Sequence, residues 1–92
     1  MKGLEVEGRA IVLANVAGTF YAIQRKCPHM GYDLSNGMLE GAKLICRMHG
    51  ATYHLATGEP LAKAKLLFFK PQPRPATTYP VKVEGGRVFV AV

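Results

Sequence analysis

Two short stretches nineteen residues apart repeat one pattern: Cys27-Pro28-His29-Met30-Gly31 and Cys46-Arg47-Met48-His49-Gly50 each offer a thiol, an imidazole and then a glycine. They hold both cysteines of the chain and two of its three histidines. Thiolate and imidazole together suit iron and zinc, and two short loops can converge four donors without long-range folding cost. Chance coincidence of two Cys/His pairs is the competing reading. It is disfavoured because both pairs have ligand spacing and both run into glycine. Zinc fingers usually pair Cys with Cys in one arm and His with His in the other, whereas each arm here mixes the types. A two-iron two-sulfur cluster accounts for the mixture, with Cys27 and Cys46 on one iron and His29 and His49 on the other. Two cysteines are too few for an all-thiolate cluster within one chain.

The rest of the chain reads as all-β. Short runs rich in Val, Ile, Tyr and Phe recur and are punctuated by glycine. The pattern predicts strands near Leu4 to Val6, Arg9 to Val16 and Thr19 to Arg25, with turns at Glu7-Gly8 and Ala17-Gly18. It predicts two short strands at Lys43 to Arg47 and Ala51 to Ala56, and turns at Ser35-Asn36-Gly37 and Thr57-Gly58. A C-terminal hairpin should run from Tyr79 to Glu84, turn at Gly85-Gly86, and return from Arg87 to Val92, with Val81 and Val83 inward. Pro71, Pro73 and Pro75 exclude a regular helix or central strand, so residues 70–77 should form a stiff surface loop. No linker divides the 92 residues, and one domain is expected, with a base sheet over about 3–26 and 62–92 and a site-bearing subdomain over about 27–61.

Several classes are excluded by composition. The longest apolar runs, Ala10 to Ala14 and Val88 to Val92, are five residues each, while a membrane-spanning helix needs about 20. The opening Met-Lys-Gly-Leu-Glu-Val-Glu has no apolar core of a secretory signal, and a cytoplasmic location is expected. Twelve Lys and Arg against six Asp and Glu give a net charge of +6, which suits an acidic protein partner. Nucleic acid is disfavoured, because there is no helix-turn-helix pattern, no RNA-stacking aromatic signature and no Trp.

Cys27-Pro28-His29, sixteen residues, then Cys46-Arg47-Met48-His49-Gly50 is similar to the signature of the Rieske proteins. Further support comes from Gly18 to Ile23, Leu34 to Gly41, Thr57-Gly58-Glu59-Pro60-Leu61, and Tyr79-Pro80-Val81 before Gly85-Gly86. The chain resembles a small Rieske-type ferredoxin. That resemblance implies a Rieske-like antiparallel β sandwich or barrel with an inserted cluster-binding subdomain. It implies one 2Fe-2S cluster, with Cys27 and Cys46 on the buried iron and His29 and His49 on the exposed one. Gly50 and Tyr53 are expected beside the ligands, Tyr53 as donor to a cysteine sulfur, and Pro71 and Pro73 in a loop shielding the cluster. The disulfide of high-potential members would need cysteines at Tyr32 and Met48, and their sulfide-bonding serine is replaced by Ala51. Donors to sulfur raise the potential, so the lower half of the Rieske range of about −150 to +300 mV is expected.

The implied function is electron carriage to an oxygenase or similar oxidoreductase, by a protein that is not catalytic alone. The implied partners are a reductase and a terminal oxygenase, with a monomer favoured. Arg25, Lys26 and Arg47 near the arms should favour reduction and steer acidic partners. Proton loss from metal-bound His29 and His49 should make the potential fall at high pH. His54 reads as a surface histidine, and Met30 and Met48 as packing around the cluster. One alternative is a small subunit bound permanently to a larger oxidoreductase, nitrite-reductase-like or an oxygenase. Two features favour it: family members usually have one more strand before Leu4, and Leu66-Leu67-Phe68-Phe69 reads either as an extra core strand or as an apolar docking surface. A structural zinc module is the third reading.

Overall fold

The computed structural model describes residues 1–28, 31–47, 50–61 and 74–92. Among these the chain forms ten β-strands, one 3-10 turn and no α-helix. Strands β1 (Lys2–Val6), β2 (Arg9–Val16) and β3 (Thr19–Gln24) form an antiparallel meander. Its two turns have positive φ at both central residues, Glu7 with Gly8 and Ala17 with Gly18. This is the twist-matched turn that closes a two-residue hairpin. Glycine accommodates it freely, whereas Glu7 and Ala17 hold a backbone that side chains disfavour. Asn15 supports the second turn by accepting a 2.9 Å hydrogen bond from the Gly18 N–H through Oδ1.

A second sheet carries the region between and beyond the arms. Strands β4 (Met38–Glu40), β5 (Lys43–Ile45), β6 (Thr52–His54) and β7 (Pro60–Leu61) run in that order, all antiparallel. Strand β8 (Thr78–Tyr79) returns to the first sheet beside β3, giving the order β1-β2-β3-β8. Pro80 then interrupts the chain, since it brings no N–H to a ladder. The single expected strand from Tyr79 is therefore two, β8 and β9 (Val81–Glu84). Strand β9 pairs with β10 (Arg87–Val90) as a separate two-stranded sheet, closed by positive-φ Gly85 and Gly86.

One core unites the two larger sheets. Val12, Ala14 and Ile23 from the first pack in a cluster with Leu44 and Tyr53 from the second, together with Leu34, Ala51, Leu55, Ala76 and both cysteines. The site therefore stands on the main core of the molecule.

Three expectations need correction. Val83, expected to point inward, is 56% exposed: alternation fixes which side chains share a face, but not which face finds cover. The strands flanking the second arm stop at Ile45 and begin at Thr52, because the Cys46 N–H bonds the Ala51 carbonyl and closes the arm there. Strands β4 and β7, of three and two residues, were absent from the sequence expectation. Leu66 to Phe69 lie outside the described residues.

Candidate metal centre

The arms share a backbone design as well as a sequence pattern. The Cys27 N–H donates to the Tyr32 carbonyl at 2.7 Å, and the Gly31 N–H donates back to the Cys27 carbonyl at 2.7 Å. In the second arm the Cys46 N–H donates to the Ala51 carbonyl at 2.7 Å, and the Gly50 N–H to the Cys46 carbonyl at 3.1 Å. Each arm is thus a tight turn whose opening residue is cysteine and whose fifth residue is glycine. Gly31 has φ 77° and Gly50 φ 70°, the left-handed region where glycine carries no penalty. That requirement is why the glycine recurs.

Both cysteines are buried, and no disulfide joins them. Tyr53, fully buried on β6, brings its hydroxyl to 3.5 Å from Cys27 Sγ. Two buried sulfurs opening equivalent turns, one facing a hydroxyl, fit a group ligated by thiolates, because a hydroxyl stabilises negative charge on sulfur. His29 and His49, the other two ligands chosen from sequence, lie outside the described residues, as do Met30, Met48, Pro71 and Pro73. Ala51 is buried and brings only a methyl group where high-potential relatives were expected to carry serine.

The surroundings of the first arm contain a feature missed in sequence. Asp33 pairs with Lys26 in an isolated antiparallel bridge, so it sits across from the residue preceding Cys27. Its carboxylate accepts from Arg25 Nε at 3.1 and 3.2 Å, from the Ser35 hydroxyl at 2.6 Å and from the Ser35 N–H at 2.9 Å. It thereby caps the 3-10 turn Leu34–Asn36. The Arg25 guanidinium, followed by the Ser35 hydroxyl, holds the Asp33 carboxyl at about 2, below its ordinary 3.8. Arg25, expected to favour reduction and steer acidic partners, is ion-paired with Asp33. Arg47 is exposed, with Nε donating to the Asn36 carbonyl at 2.5 Å. His54, expected at the surface, is half-buried on β6, and its Nδ1 accepts from the Ala56 N–H at 3.3 Å.

The chain leaving the proline segment is fastened on both sides. Ala76 donates its N–H to the Gly58 carbonyl at 2.7 Å. A Cβ on Gly58 would lie 1.9 Å from the Ala76 carbonyl oxygen, so only glycine admits this crossing. Thr77 exchanges two bonds with Gln24: the Gln24 N–H donates to the Thr77 carbonyl at 2.8 Å, and the Thr77 N–H donates to Gln24 Oε1 at 2.6 Å. The other end of that amide, Nε2, donates to the Lys26 carbonyl at 2.5 Å. One side chain therefore ties the entry of the first arm to the exit of the proline segment.

Comparison with known proteins agrees with this architecture. A family model for the Rieske [2Fe-2S] domain matches residues 1–67. The chain belongs to the Rieske [2Fe-2S] domain family, whose defining cofactor is a [2Fe-2S] cluster. It is 43% identical over 81 residues, 87% of this chain and 70% of the relative, to the 3-phenylpropionate/cinnamic acid dioxygenase ferredoxin subunit of Escherichia coli (strain K12). The ferredoxin of carbazole 1,9a-dioxygenase from Nocardioides aromaticivorans IC177 superposes with a TM-score of 0.85 at 25% identity, covering 98% of this chain and 82% of that one. A chain from a complex of reduced oxygenase and oxidised ferredoxin in carbazole 1,9a-dioxygenase gives a TM-score of 0.83 at 28% identity, covering 98% of this chain and 86% of that one.

Proposed function

We propose that this chain is the ferredoxin component of a dioxygenase system, passing electrons one at a time to a terminal oxygenase and catalysing no reaction alone. The observation that carries the reading is the pair of equivalent turns, each opening on a buried cysteine that belongs to one shared core. Cys27, His29, Cys46 and His49 would hold the cluster. Bound there, it supplies a one-electron couple that needs little movement of the protein.

The chain's own residues supply the rest. Cys27 and Cys46 are kept from water by Leu34, Leu44 and Tyr53 in the common core, and the two turns fix where each sulfur points. Tyr53 presents a hydroxyl to Cys27 Sγ, favouring the more negative state. The outer edges of His29 and His49 would form the route to a partner. Pro71 and Pro73 would lie in a segment whose exit Gln24 and Gly58 anchor. In this division residues 27–61 carry the site, residues 3–26 and 62–92 form the base, and residues 1–92 are one domain. The net charge of +6 suits an acidic partner, and a cytoplasmic setting fits two cysteines used as ligands.

A mediated redox titration of the purified protein tests this. A reversible one-electron transition of one equivalent per chain is expected. Absence of any reversible couple in iron-loaded protein would contradict electron carriage.

A further inference from the structure

We propose that Asp33 and Arg25 form a built-in charge pair that sets the cluster's reduction potential, Asp33 lowering it, Arg25 raising it, and their pairing holding the two in balance. The inference rests on Cys27 being a cluster ligand, as proposed above.

Both residues are anchored to the backbone that frames Cys27. Arg25 precedes it by two positions, just after the end of β3, and its carbonyl accepts from the Leu34 N–H at 2.7 Å. Asp33 faces Lys26 across the bridge, and its neighbour Tyr32 accepts the Cys27 N–H. Paired residues of an antiparallel bridge have Cα atoms about 5 Å apart, which keeps the Asp33 backbone beside the arm, while Arg25 Nε and the Ser35 hydroxyl and N–H hold its carboxylate. The guanidinium lies over β1: a Cβ on Gly3 would be 2.7 Å from Arg25 Cζ. Both carboxylate oxygens are within 3.2 Å of Arg25 Nε.

Charge composition makes the carboxylate distinctive. Asp33 is the only acidic residue between Cys27 and Glu40, whereas Arg25, Lys26 and Arg47 flank the arms with positive charge. Reduction adds one negative charge to the cluster, which a nearby cation favours and a nearby anion opposes. A unit charge at about 10 Å, partly screened by solvent, changes such an equilibrium about threefold. At 59 mV per decade that is about 28 mV. Asn at position 33 would keep an oxygen to cap the 3-10 turn, so charge and capping can be separated.

The test is a mediated redox titration, followed by electron paramagnetic resonance, of the cluster-loaded wild type and of R25Q, D33N, R25Q/D33N and R25K. D33N should raise the reduction equilibrium about threefold, R25Q should lower it about threefold, and the double variant and R25K should stay near wild type. The single-variant shifts should shrink in high salt. Shifts of the same sign, or none, in variants with full iron content would overturn the proposal, because a merely structural strap would disturb the arm in the same way from either end. Should one single variant fail to take up iron, the sign of the other's shift decides. An iron-free wild type would be a different failure, removing the cluster reading itself.

Discussion

The two arms have the same turn but different supports. The first is braced by side chains: Asp33 binds Arg25 and Ser35, Gln24 reaches the Lys26 carbonyl, and Tyr53 meets Cys27 Sγ. The second has side-chain bonds from Arg47 to the Asn36 carbonyl and from the Thr52 hydroxyl to the Gly50 carbonyl, and adds a close backbone approach. Gly37 has no Cβ, and one placed there would be 2.3 Å from the Ile45 carbonyl oxygen and 3.1 Å from that of Leu34. This lets the 3-10 turn press against the strand that delivers Cys46. A shared local motif makes the turn, and different tertiary means hold it. Tuning by charge is therefore concentrated on the first arm and tuning by packing on the second.

Breaking the packing support should have the largest effect. Gly37 has φ −78°, which any residue adopts, so Gly37→Ala isolates the steric term. Loss of about 2–3 kcal/mol in urea unfolding is expected, since a backbone carbonyl must shift. A loss below about 0.5 kcal/mol would mean the second arm does not depend on that approach.

Tyr53→Phe addresses the first arm. It removes the hydroxyl at 3.5 Å from Cys27 Sγ with almost no change of shape. Iron content should persist while the potential falls by about 40 mV, equivalent to about 1 kcal/mol. An unchanged potential would show that the hydroxyl is not donating to that sulfur.

The shared turn predicts equal costs. Gly31 and Gly50 have φ 77° and 70°, and a Cβ on either would meet nothing within 4 Å. Gly31→Ala and Gly50→Ala should each cost about 1 kcal/mol, from backbone conformation alone. A difference well beyond that in thermal unfolding would break the equivalence of the arms.

The smallest effect is in acid. The folded Asp33 carboxyl is held at about 2 against an ordinary 3.8, so its stabilisation is fully present above about pH 4 and is lost as pH falls through about 2. Its side chain is 37% exposed, and solvent screening limits the effect to about 1 kcal/mol. Asp33→Asn should remove that part of the acid limb when stability is followed from pH 5 to pH 2.

What was legible in sequence was local. The arms could be read because turn, thiol and glycine lie within five residues. Strand β2 could be read end to end, because Arg9–Val16 is bounded by a turn pair on each side. Strands β4 and β7 are too short for any period to register. The Arg25–Asp33 pair is separated by eight residues and brought together by the backbone bonds around the Lys26 bridge, so no spacing rule announces it. Val83 shows the limit of alternation, which assigns faces without showing which is covered.

The most direct test of the central claim, that the two arms hold one cluster, is an electron paramagnetic resonance spectrum of anaerobically purified, dithionite-reduced protein, with iron, sulfide and zinc measured on the same sample. The account predicts a rhombic signal with average g below that of all-thiolate clusters, at the two irons and two sulfides per chain that define the family's cofactor. A colourless, silent protein containing stoichiometric zinc would contradict it.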